Sequence, residues 1–209
     1  SYRLVGSEMC IRDSSPSTLI PRPDTERLVE VALDKTYEQT GPILDLGTGT
    51  GAIALALASE MPKRQVMGVD LKQEAKELAE YNASQLNIKN VTFDQGSWFE
   101  PIVSGTKFAL IVSNPPYIDE QDPHLSQGDV RFEPKSALVA DENGLADIRH
   151  ISDLARQYLE EGGWLAFEHG YDQGDAVREI MTNFGYEQVV TEKDYGGNDR
   201  VTLGCYKPQ

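Results

Sequence analysis

The apolar stretch Phe108 to Val112 runs into Ser113-Asn114-Pro115-Pro116-Tyr117, the segment of this sequence best equipped to do chemistry. Proline fixes φ near −65° and carries no N–H, so two prolines after Asn114 hold the carbonyls before them in a stiff, extended turn. The Asn114 side-chain oxygen and the Pro115 carbonyl then offer two acceptors to the two hydrogens of a planar NH₂ group, and Tyr117 flattens the pocket against it. An NH₂ conjugated to a carbonyl or a heteroaromatic ring is a poor nucleophile because its lone pair is delocalised. Accepting both of its hydrogens raises electron density on nitrogen, and fixing its direction lowers the barrier by up to ~7 to 11 kcal/mol. Taken alone, a Pro-Pro pair after a strand is more often a plain turn, so its neighbours decide the reading.

The decisive neighbour is Gly47-Thr48-Gly49-Thr50-Gly51, which follows the apolar run Ile43 to Leu46 and leads straight into an Ala/Leu helix. Glycines let the backbone approach a ligand, and a helix start offers unpaired N–H groups. Gly47, Gly49 and Ala52 also satisfy the dinucleotide pattern, with Asp70 near the distance expected of a ribose acceptor, which keeps NAD in contention. Asp45 tips the choice. Two residues ahead of the first glycine, its carboxylate can meet a cationic amino acid moiety, which S-adenosylmethionine has. That donor also lacks phosphates, so an acidic site does not oppose it. Asp70 suits the paired ribose hydroxyls, and Trp98 can cover an adenine ring, although a tryptophan judged alone is as often core. The Asn-Pro-Pro-Tyr acceptors would then aim the nitrogen along the sulfonium S–CH₃ axis, and no strong general base is required.

Positioning these groups demands a particular scaffold. The spacing predicts strands at 43–46, 66–70, 91–95, 108–113, 164–167, 187–191 and 201–205. Helices are predicted from Asp24, with Asp24 or Thr25 as cap, and at 52–59, 73–86, 147–160 and 175–184. Strands separated by helix-length segments imply right-handed βαβ crossovers, hence an α/β fold with a seven-stranded, mostly parallel sheet and helices on both faces. Ligands bind beyond the carboxyl ends of such strands. The stretch 119–147, with eight acidic and two basic residues, is the one long irregular insertion.

Composition narrows the function classes. The 209 residues carry 19 Lys plus Arg against 34 Asp plus Glu, a net charge of −15, which disfavours direct nucleic-acid binding and membrane surfaces. With 39% hydrophobic residues the chain can bury one sizeable core, and no apolar run approaches the length of a membrane span. Cys10 and Cys205 lie at opposite ends and His124, His150 and His169 stand apart, so no metal site is expected and a cytoplasmic setting is the default. Residues 1–14 read as a non-native or disordered leader, and 15–209 as one catalytic domain. Glu168-His169 invites an acid/base reading, but a strand-end pair shaping the pocket is preferred. The sequence does not decide what Asp199 and Arg200 do.

These motifs resemble the HemK/PrmC family. The likeness rests on 19–26 (Leu-Ile-Pro-Arg-Pro-Asp-Thr-Glu), Asp45 to Gly51, Asp70, Trp98, Asn114 to Tyr117, 129–134 (Asp-Val-Arg-Phe-Glu-Pro) and Glu168-His169-Gly170. The resemblance implies a class I S-adenosylmethionine-dependent methyltransferase with a Rossmann-like fold. It also implies, as acceptor, the glutamine of the Gly-Gly-Gln motif in class 1 peptide chain release factors. By the same token Gly47 to Gly51, Asp70 and Trp98 hold the cofactor, while Asn114, Pro115, Pro116 and Tyr117 grip the glutamine. The helical domain that the resemblance places ahead of Leu19 is not among these residues. Two other readings stay open here: an adenine-N6 nucleic-acid methyltransferase, and a catalytically idle cofactor-binding module that partners the release factor.

Overall fold

The structure, a computed structural model, describes residues 23–115 and 141–209. The expected leader 1–14, the motif residues at 19–22 and 129–134, Pro116, Tyr117 and most of the acidic insertion lie outside the described residues.

Seven strands, β1 (Ile43–Leu46), β2 (Val66–Asp70), β3 (Val91–Gln95), β4 (Phe108–Ser113), β5 (Leu159–Glu168), β6 (Glu187–Lys193) and β7 (Asp199–Cys205), form one sheet in the order β3-β2-β1-β4-β5-β7-β6. Only β7 runs against its neighbours, pairing antiparallel with both β5 and β6. The order reverses between β1 and β4, which are parallel neighbours with Leu46 opposite Ser113. A crevice therefore opens beyond the ends of these two strands.

Strand residues alternate between two cores, as the period of two dictates. On one face Ile43, Leu110, Val112 and Trp164 pack with α1 (Pro23–Thr36), α2 (Ala52–Glu60) and α3 (Gln73–Gln85). On the other, Leu44, Leu46, Ile111 and Phe167 pack with α4 (Asp141–Ala155) and α5 (Gly174–Asn183). Both faces are covered, so the central strands read as continuous apolar runs; all six residues of β4 are buried.

Several boundaries differ from expectation, and those of the first helix, the fourth helix and β5 have clear physical reasons. The first helix begins at Pro23, so Asp24 and Thr25 lie inside it instead of capping it; proline suits a first helical position, where its missing N–H costs nothing. The fourth spans Asp141–Ala155, not 147–160. Gly144, at φ 89° within its first turns, reads as a loop signal in the sequence and hides the start. Its end comes early because Leu159 already pairs with Phe108, and β5 runs through a register shift and Gly162 at φ 80° before resuming at Trp164. The Glu160-Glu161-Gly162-Gly163 interruption is thus inside the strand, tied to Tyr206 by hydrogen bonds of 2.8 Å from Gly162 N–H and to Gly163 C=O.

Candidate active site

The glycine turn leaves β1 and enters α2 with Gly47, Gly49 and Gly51 all at positive φ, 71°, 55° and 87°. Two of these positions differ in what surrounds them. A Cβ on Gly51 would lie 3.0 Å from Ala79 Cβ and 3.2 Å from Phe93 Cζ, so this glycine lets α3 and β3 close on the turn. A Cβ on Gly49 would meet nothing within 4 Å, so this glycine faces open space in which a ligand can lie. The turn is fastened from below: Gly47 and Thr48 N–H groups donate to the Val69 carbonyl at 2.8 and 2.9 Å, and the Asn82 amide donates to the Thr50 carbonyl at 3.1 Å.

Asp70 ends β2 beside the turn. Gly49 N–H donates to its Oδ2 and Lys72 N–H to its Oδ1, each at 2.9 Å, so the carboxylate is fixed while one lone pair on each oxygen stays available. Trp98 follows β3 at φ 50°, a left-handed conformation rare for a bulky side chain, and its ring lies 3.7 Å from where a Gly47 Cβ would sit. Together these residues wall one side of a cavity of about 400 Å³, whose lining includes Gly47, Asp70, Ser97, Trp98, Asn114 and Pro115.

Asn114 and Pro115 reach this cavity because β4 is apolar throughout and lies beside β1 in register. The Ser113 hydroxyl donates to the Leu46 carbonyl at 2.9 Å, an added tie where the two strands end. Among the described residues nothing hydrogen-bonds the half-buried Asn114 carboxamide, which leaves it for a ligand. A larger open groove of about 720 Å³ lies at the opposite strand ends, lined by Lys63, Arg64 and Lys89 with no glycine turn and no carboxylate. Size alone would favour it, but the backbone cradle and the convergent polar groups favour the smaller cavity.

Asp45 sits beneath the turn, fully buried, and does not line the cavity. Thr48 Oγ1 donates to its Oδ2 at 2.7 Å, while Oδ1 completes no hydrogen bond of normal geometry. Burial pushes its carboxyl up to about 7, against the pull of the Thr48 hydroxyl and the nearby Ala54 N–H. An orphaned carboxylate oxygen below the turn, open space before Gly49 and a braced Asp70 fit a ligand with a cationic amino acid end and ribose hydroxyls.

Glu168 and His169 are also fully buried. His169 Nδ1 donates to the Gly170 carbonyl at 2.8 Å, and Nε2 accepts from Thr202 Oγ1 at 2.6 Å. Thr202 in turn meets Thr191 Oγ1 at 2.7 Å, which accepts from Arg178. With both ring nitrogens engaged and burial pulling its pKa down, His169 is held neutral as a brace. Arg200 donates to the His169 carbonyl and to Asp194, again within the framework. Several cavity residues are not expected from the sequence: Leu71, Lys72, Gly96 and Ser97 come with the neighbours of Asp70 and Trp98, and Asp147 comes from a separate element. Asp147 of α4 lines the same cavity as Asn114, on a helix whose predicted range begins at this very position, leaving no pattern to show which way it faced.

The comparisons agree with this architecture. A family described as a methyltransferase domain matches residues 38–201. Release factor glutamine methyltransferase of Vibrio cholerae is 71% identical over 195 residues, covering 93% of this chain and 68% of the relative. The enzyme of the same name from Escherichia coli K12 is 59% identical over 192 residues, covering 92% and 69%. Among solved structures, a methyltransferase from Pyrococcus furiosus superposes with a TM-score of 0.68 at 18% identity over 94% of this chain and 88% of its own. A ribosomal protein L11 methylase from Lactobacillus delbrueckii gives 0.62 at 18% over 88% and 79%. At that identity the structures speak for a class I methyltransferase fold alone. The sequence relatives go further, because they keep most of this domain at 59% identity or more: the chain belongs to the release factor glutamine methyltransferase family.

Proposed function

We propose that this chain methylates the side-chain amide nitrogen of a glutamine in a protein substrate, the one in the Gly-Gly-Gln motif of class 1 peptide chain release factors. One observation carries the reading. The strands that lead into Asn114-Pro115 and into the glycine turn are paired, Ser113 opposite Leu46, and Asn114, Pro115 and the first residue of the turn, Gly47, line one cavity. S-adenosylmethionine supplies an electrophilic methyl carbon when bound. Gly47, Thr48, Gly49, Thr50 and Gly51 provide the cradle, Asp70 the ribose acceptor, Trp98 the adenine wall, and Asp45 the negative charge beneath the amino acid end.

The chain's own contribution to the acceptor is positional. Asn114 Oδ1 and the Pro115 carbonyl accept the two amide hydrogens, and in this reading Pro116 and Tyr117 complete the clasp. As charge builds on nitrogen these acceptors bind more strongly, which lowers the barrier without a strong base. The methylated nitrogen then loses its proton to solvent. The high acidity of the chain, −15, favours a protein acceptor over a phosphate backbone. Among the described residues no helix is long and apolar enough to cross a membrane. A release factor as substrate goes with a cytoplasmic setting.

The test is methyl transfer from radiolabelled donor to purified release factor, with the modified residue identified by mass spectrometry, for the wild type and Asn114→Ala. The wild type is expected to label one glutamine. The variant should bind S-adenosylhomocysteine within a few-fold of wild type and lose roughly 100-fold or more in turnover. Labelled oligonucleotide with no labelled protein would move the chain to the nucleic-acid reading, and donor binding without any transfer to the idle-module reading.

A further inference from the structure

The candidate cavity holds two carboxylates, and only one has been given work. Asp70 is braced by two backbone N–H groups. Asp147, half-buried on α4, receives no hydrogen bond or ion pair from another described residue, and His150 acts on it only as a nearby charge. Burial raises its pKa, the signature of a carboxylate short of donors.

A methyl donor of the class proposed above brings three sets of hydrogens: ribose hydroxyls, an ammonium and an adenine amino group. Asp70 stands where the ribose hydroxyls fall. The ammonium belongs with Asp45 and the glycine turn, from which the chain departs into α2 on the opposite face of the sheet. Asp147 comes from the other layer. Leu145 and Ile148 of its helix belong to the core cluster against which Trp98 packs, and Trp98 is the wall on which the base is expected to stack. We infer that Asp147 accepts a hydrogen from the 6-amino group of the donor's purine and so selects adenine over a 6-oxo purine. A 6-oxo base would set a carbonyl oxygen against the Asp147 carboxylate, with no hydrogen between them.

This assignment rests on the donor reading, and binding measurements separate the two. Isothermal titration of the whole chain with S-adenosylhomocysteine and with S-inosylhomocysteine is compared among the wild type, Asp147→Asn and Asp147→Ala, each checked for an intact thermal transition. The wild type should prefer the adenosyl ligand by roughly 10- to 100-fold. Asp147→Asn, whose NH₂ can donate to a 6-oxo group, should narrow or invert that ratio, and Asp147→Ala should narrow it by weakening the adenosyl ligand alone. Intact binding with the wild-type ratio preserved in both variants overturns the assignment and leaves the donor reading standing. A wild type that binds neither ligand overturns both.

Discussion

The Ser113 hydroxyl donates to the Leu46 carbonyl at 2.9 Å, fully buried, at the point where two parallel strands release the two halves of the candidate site. One strand delivers the glycine turn and the other delivers Asn114, so this bond reinforces the offset that the strand register sets between cradle and clasp. Ser113→Ala leaves a buried carbonyl short of a partner and is expected to cost about 1 to 2 kcal/mol in urea unfolding. Its second signature is kinetic: turnover should fall several-fold while S-adenosylhomocysteine affinity holds, because the cradle itself stays tied to Val69. Equal losses in affinity and turnover would contradict that division.

Gly49 and Gly51 share positive φ but should fail differently. Gly51→Ala adds close contacts with Ala79 and Phe93 to the backbone strain, and a loss of about 2 to 4 kcal/mol in stability is expected. Gly49→Ala carries only the strain, about 1 kcal/mol, and should fold well. Its methyl group instead enters the space before the turn, so donor affinity should drop at least tenfold by calorimetry. A folded Gly49→Ala protein that binds as the wild type does would remove Gly49 from the cradle.

Asp45 predicts a pH signature of definite sign. Burial lifts its carboxyl from 3.8 to about 7 in the folded chain. The folded state therefore holds the proton more tightly than the unfolded one, and stability is lost as pH rises from about 4 to 7, by roughly 4 kcal/mol at ~1.4 kcal/mol per unit. Asp45→Asn lacks this slope. Subtracting the two unfolding curves at pH 4, 5.5, 7 and 8.5 should show the variant gaining on the wild type up to neutrality and level thereafter. A difference independent of pH would mean that the carboxyl is not shifted.

The hydroxyl relay to His169 gives a stability phenotype without a catalytic one. Thr202→Val is nearly isosteric but removes the donor to Nε2 and the partner of Thr191, and should cost about 1 to 3 kcal/mol. Turnover per folded molecule should stay near wild type at neutral pH. A large loss of turnover with little loss of stability would restore His169 to the chemistry.

Much of this architecture is written in local patterns. Four of the strand ranges, from Ile43–Leu46 through Phe108–Ser113, coincide with those predicted; the central β1 and β4 are buried throughout and so read as apolar runs, while the edge strand β3 shows only a short pattern around Phe93. Gly47 to Gly51 and Asp70 were equally legible, since a tight turn with three positive φ values admits few residue types. What required the tertiary structure was direction and company. Asp45 is marked for a cationic ligand group by its distance from the glycines, and packing adds what the spacing does not say, that it lies buried beneath them with Thr48 for a partner. His169 reads from its position as a strand-end residue with no part in the chemistry, and only the juxtaposition of β5, β6 and β7 supplies the hydroxyls that engage it. Asp147 carried no signal at all, because Gly144 masked the start of its helix and a helix of unknown phase does not say which way a carboxylate points. Residue types and short spacings settle backbone conformation, since that is a local matter of sterics and periodicity. Burial, electrostatics and which side chains share a cavity arise from contacts between segments far apart in the chain, and only the folded arrangement decides them.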